Sequence, residues 1–175
     1  FTTLSKYCNV LPDKAKLIKI SSLVGKDVPL FILGKRCIIE NFGEEVNEVF
    51  VDQPLSYIVF TPDFSVSTKD VYSNLDKMGI AGNLTIAKRK IKIILDLLEK
   101  KNTTKIEEHI ENRLSYSCFN LHPKIKEVKK IIEEQMGKNC FVSGSGGSLF
   151  AIFKTKEEAE EKAQKLEIAG WKSFV

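Results

Sequence analysis

The chain has 175 residues, 43% of them hydrophobic and 29% charged, with a net charge of +4 at neutral pH; that composition builds an ordinary globular core and mildly favours an anionic ligand such as a nucleotide. No apolar run approaches the ~18 residues of a membrane span, no charged-then-apolar leader is readable, and no Arg-rich, aromatic-interleaved stretch marks a nucleic-acid surface. The expectation is a cytoplasmic chain with neither membrane nor nucleic acid as partner, its oligomeric state left open. Cys8, Cys37, Cys118 and Cys140 stand far apart without a C-x-x-C pair, and His109 and His122 lack ligand-like neighbours. Neither a disulfide framework nor a metal site is expected.

In chain order, "FTTLSKYCNVL" reads as a helix already under way, with Leu4 and Cys8 at i and i+4, which suggests a fragment. Asp13, after Pro12, caps a helix carrying Ala15, Leu17, Ile18 and Leu23 and stopping near Gly25. "PLFILGKRCIIENFGEEV" predicts two strands, Leu30–Leu33 and Arg36–Glu40, joined as a hairpin at Gly34-Lys35, with a second break at Gly43. Tyr57–Phe60 predicts a strand ended by Pro62, after which Ser67 or Thr68 caps a short helix with Val71, Tyr72 and Leu75.

Three helices are then expected: "TIAKRKIKIILDLLEKKN", with Ile91, Ile94, Leu95 and Leu98 toward the core, "TTKIEEHIENRL", and "HPKIKEVKKIIEEQMGKN". The last starts at Pro123, buries Ile125, Val128 and Ile131 or Ile132, and stops at Gly137. "CFV" and "SLFAIF" read as strands, the second apolar enough to be central. Thr155 and Glu158 form a capping box for a helix bearing Ala159, Ala163 and Leu166, ended by Gly170 before a final strand, "WKSFV". Strand, helices, strand, strand, helix, strand is the order of an α+β sandwich of the split βαβ kind.

Between the two late strands lies "SGSGGS". It is not G-x-x-x-x-G-K-[ST] and it leads into a strand, so no helix N-terminus follows to hold phosphate. A glycine-rich hairpin turn is the plainer reading, yet a tight hairpin needs one or two glycines, and five small residues suggest the close approach of something. Asp27 in "GKDVP" lies on a loop stiffened by Pro29; it is either a turn residue or a carboxylate able to take a hydroxyl proton during phosphoryl transfer. Tyr72 in "STKDVY" either fills the core or presents its ring to a flat ligand. Lys88-Arg89-Lys90 reads as a solvated helix face with no assigned role.

"VGKDVPLFILGKRCIIENFGEEV", "TPDFSVSTKDVYSNLD", "HPKIKEVKKIIEEQMG" and "VSGSGGSLFAIFKTKEEAEEKAQKL", in that order and covering most of the chain, resemble the GHMP small-molecule kinases. G-x-D-V-P-x-F with S-T-x-x-V-Y resembles the branch that phosphorylates the 2-hydroxyl of a cytidine diphosphate-linked methylerythritol, in the non-mevalonate route to isoprenoid precursors. The resemblance implies the family's C-terminal α/β sandwich, split βαβ and ferredoxin-like, over residues 53–175, and a remnant of its N-terminal kinase domain carrying "GKDVP" over residues 1–52.

It further implies ATP and Mg²⁺ as cofactors, Asp27 as the catalytic carboxylate and Tyr72 as the ring stacked on cytosine. Ser143, Gly144, Ser145, Gly146 and Gly147 match the motif beside the phosphate-transfer site. Two departures accompany it. Arg113 stands where the family's Asn-Asp-Leu segment has its Asp, which puts a polar role for that segment in question. The family's Gly-rich nucleotide loop, catalytic lysine and first substrate tyrosine belong upstream of Phe1, so the isolated chain is expected to be inactive. The alternatives are another GHMP kinase, acting on mevalonate-type, homoserine or sugar substrates, and a non-catalytic domain that has lost the ATP loop.

Overall fold

The structure is a computed structural model that describes residues 13–25, 27–40, 45–50, 55–100 and 102–175. The chain divides into two compact units, Phe1–Asp52 and Gln53–Val175. The expected helix end in "FTTLSKYCNVL" and the break at Gly43 lie outside the described residues.

In the first unit, α1 (Lys14–Val24) starts where Asp13 Oδ1 accepts the Ala15 amide at 2.9 Å, the expected cap. The strand expected at Leu30–Leu33 is instead part of a six-residue helix, α2 (Val28–Leu33). Pro29 supplies a helical φ where its missing N–H costs nothing, and Gly34, at φ 61°, closes the turn by donating to Leu30 O at 3.0 Å. The hairpin therefore forms one segment later, between β1 (Cys37–Glu40) and β2 (Glu45–Glu48), antiparallel with Cys37 opposite Glu48 and Glu40 opposite Glu45. A Lys35–Glu48 ion pair adjoins it.

The second unit is built on an antiparallel sheet of order β4-β5-β3-β6, with β3 at Ser56–Pro62, β4 at Phe141–Val142, β5 at Leu149–Phe153 and β6 at Trp171–Phe174. With helices between β3 and β4 and between β5 and β6, this is the expected split βαβ arrangement. β5 is central, as its apolar run requires. Pro62 does not end β3 early: it occupies the last rung opposite Trp171, where the ladder no longer needs an N–H, and Asp63 N carries on to Gly170 O at 2.9 Å.

α3 (Thr68–Met78) follows Ser67, whose hydroxyl accepts the Asp70 amide. α4 (Leu84–Glu99), α5 (Thr103–His109), α6 (Leu114–Leu121) and α7 (Pro123–Met136) come next, so the stretch holds one helix more than the three expected. α4 also departs from expectation. Ile91, Ile94, Leu95 and Leu98 are only partly covered, because α4 packs on α5 rather than on the sheet. α7 supplies the core contact with Ile125, Val128, Ile132 and Met136; Ile132 is fully buried and Ile131 is 41% exposed, which decides the register of its apolar face. These pack with Cys118 against Ile58, Phe60, Leu149, Ala151 and Phe153, one face of the sheet, each large side chain contributing about 1.5–3 kcal/mol.

α8 (Lys156–Gln164) is capped by Thr155, whose Oγ1 accepts the Glu158 amide at 3.2 Å. It ends at Gln164, before the expected stop at Gly170, and Ala159 and Leu166 close the core. No helix among the described residues is long and apolar enough to cross a membrane.

Candidate functional site

The Gly-Ser segment joins β4 to β5 as a closed turn: the Ser143 amide donates to Ser148 O and the Gly146 amide to Ser143 O, both at 3.0 Å. What approaches Gly146 is α6, while Gly147 faces Val66 and Pro62 at ordinary contact distance. A Cβ on Gly146, which has φ 112°, would lie 2.3 Å from Cys118 Sγ, so the space that only glycine leaves is filled by that sulfur. Burial pushes that thiol above its ordinary range, a rise that the Gly147 backbone partly offsets. Gly144 differs, since nothing lies within 4 Å of where its Cβ would stand. The room expected for a ligand is therefore at Gly144, while Gly146 serves packing.

Two side chains from elsewhere hold the turn. Asn112 Nδ2 donates to Val142 O at 2.9 Å and to Gly144 O at 2.8 Å, while its Oδ1 accepts the Leu114 amide at 3.0 Å. Ser145 Oγ lies 2.8 Å from Thr68 Oγ1, in the first turn of α3. Tyr72 follows one helical turn later, about 6 Å along the axis. On α3, Val71 and Leu75 face inward and Tyr72 is 52% exposed, so Tyr72 is not core.

Tyr72 borders an open groove of about 1090 Å³ that is also lined by Ile80, Gly82, Ile91, Arg113 and Tyr116. Arg113 Nη2 donates to Ile80 O at 3.0 Å and its guanidinium lies over Gly82, where any Cβ would collide with it. The segment whose polar role was in question thus shapes both places: Asn112 the turn, Arg113 the groove wall. Lys90, from the basic run, reaches the groove and pairs with Glu111.

Asp27 belongs to the first unit, exposed at the head of α2, with no side-chain bond to that helix. The structure thus brings Ser143–Gly147 to the helix of Tyr72 within the second unit. Sequence reasoning missed Asn112; its position two residues before α6 signals a cap, but its loop partners lie 30 and 32 residues away. Among the described residues no group of three or more His, Cys, Asp or Glu side chains is placed to hold a metal ion.

Residues 94–172 match the family described as GHMP kinases C terminal. This stretch is similar to the C-terminal domain of the GHMP kinases. The matched stretch runs from α4 into β6 and includes Asn112 and Ser143–Gly147, whereas Asp27 and Tyr72 precede it. Among curated relatives, the 4-diphosphocytidyl-2-C-methyl-D-erythritol kinase of Sulfurihydrogenibium sp. (strain YO3AOP1) is 34% identical over 169 residues, 95% of this chain. The enzyme of that name from Persephonella marina is 32% identical over 170 residues, 96% of this chain. The chain spans 57% of the length of each. The GHMP fold recurs in two solved structures. The crystal structure of 4-(cytidine 5'-diphospho)-2C-methyl-D-erythritol kinase superposes with a TM-score of 0.74 at 24% identity, covering 98% of this chain and 60% of its own. Homoserine kinase from Cytophaga hutchinsonii gives 0.72 at 19%, with the same coverages.

Proposed function

We propose that this chain is the C-terminal part of a cytoplasmic small-molecule kinase that moves the γ-phosphoryl group of ATP to the 2-hydroxyl of 4-diphosphocytidyl-2-C-methyl-D-erythritol. In this reading Phe1–Asp52 completes an N-terminal kinase domain and Gln53–Val175 is the C-terminal domain. The observation that carries it is the Ser145–Thr68 contact, which ties the Gly-Ser turn to the helix bearing an exposed Tyr72. The names of relatives at 30% identity or more across at least 91% of the chain support the choice of substrate.

The roles follow from chemistry. Tyr72 stacks on the cytosine ring, a contact worth about 1–3 kcal/mol. The backbone amides of Gly144 and Ser145, which have no hydrogen-bond partner among the described residues, suit a phosphate oxygen. Asp27, on its Pro-stiffened turn, takes the hydroxyl proton as the phosphoryl group arrives. Mg²⁺ accompanies ATP in this reaction class, and no step is routed through the metal.

The test is an ADP-release assay on the full-length protein, with the cytidine substrate against homoserine and mevalonate, repeated with Tyr72→Ala. Turnover of the cytidine substrate alone, and a rise in its KM without change in the KM for ATP in Tyr72→Ala, are expected. Preference for another acceptor, or an unchanged KM in the variant, would overturn the reading. The 175 residues assayed alone should be inactive, since positioning and charge neutralisation of the phosphates come largely from the nucleotide loop.

A further inference from the structure

The geometry points to Asn112 as a positioning residue for phosphoryl transfer, a role that rests on the kinase reading. Its side-chain amide uses both N–H groups on the carbonyls of Val142 and Gly144, at either side of Ser143, and its oxygen on the Leu114 amide. Three bonds lock the carboxamide plane. In a trans peptide the C=O and the following N–H point in opposite directions, and no cis peptide occurs among the described residues.

Drawing Gly144 O onto Asn112 therefore turns the Ser145 N–H away from Asn112. That N–H has no partner among the described residues and belongs to the residue whose side chain meets Thr68. Drawing Val142 O the same way turns the Ser143 N–H across the turn, where it meets Ser148 O. One side chain thus sets one amide to close the turn and another to face an incoming phosphoryl oxygen. Gly144, open on its side-chain side, leaves that approach clear.

A cap alone would ask less of Asn112, and the difference can be measured. Asn112→Asp keeps the acceptor for Leu114 N but sets a carboxylate against two carbonyls; Asn112→Ala loses everything. In the full-length protein both variants should lower kcat about tenfold or more while leaving the KM for the cytidine substrate unchanged, as expected when positioning rather than binding is lost. Deuterium uptake in a peptide spanning residues 141–149 should rise in both.

An Asn112→Asp enzyme with wild-type kcat, or unchanged uptake in that peptide, would overturn the proposal and leave Asn112 a helix cap. Should Asn112→Asp fail to fold, Asn112→Ser, a neutral cap acceptor too short for the carbonyls, takes its place under the same criteria. A wild-type protein that consumes no ATP would defeat the kinase reading instead, and the exchange data would still decide whether Asn112 clamps the turn.

Discussion

Gly146 and Cys118 show how tightly individual residues constrain the turn. A methyl group at Gly146 meets Cys118 Sγ at 2.3 Å and demands a backbone conformation that L residues avoid. Gly146→Ala should therefore lose at least about 2 kcal/mol of stability, read as a lower urea midpoint, whereas Cys118→Ala in the same background should recover part of it. Cys140, fully buried, behaves differently: burial first and the nearby Glu133 carboxylate second push its thiol from 9.0 to about 12. Its folded-state value is raised, so the neutral thiol's contribution is complete below 9.0 and is lost as pH rises toward about 12, where the unfolded chain ionises first. Stability of wild type should fall more steeply across that window than stability of Cys140→Val, measured by chemical unfolding at stepped pH. The "SGSGGS" composition announced a close approach, but that a cysteine at position 118 fills one glycine's space and leaves another open depends on contacts about 30 residues apart in sequence.

Among the elements, those with both a cap and a period were legible. α1, α3, α7 and α8 start at Asp13, Ser67, Pro123 and Thr155 as their sequences indicate, because capping chemistry is local. Ser67→Ala should cost about 1 kcal/mol. Because Ser67 orders the turn that carries Thr68, its loss should also speed amide exchange at the start of α3 more than at its end, which hydrogen exchange by NMR would resolve. α2 was misread for a physical reason: "VPLFIL" is apolar throughout, too short for either period to show, and only Pro29 and Gly34 mark it as helical. α4 was read correctly as a helix and wrongly as a core one. Amphipathicity identifies the face to be covered, and the covering element is a tertiary matter.

At the scale of the molecule, the packed core drawn from Ile58 to Leu166 lies wholly within the second unit. Residues 53–175 expressed alone should therefore unfold cooperatively on heating and give dispersed amide resonances; a broad transition with bound hydrophobic dye would contradict this. The sequence by itself determined the split βαβ order, the family resemblance and the residues of the Gly-Ser turn, because strand periodicity, caps and short motifs are written in neighbouring residues. Only the tertiary structure decided that the turn leans on the helix of Tyr72 through Ser145 and Thr68, that Asn112 aims its peptides, and that Arg113 walls the groove. Each of those contacts joins residues at least 30 positions apart, and whether such pairs meet is set by how the helices cover the sheet, which local sequence does not encode.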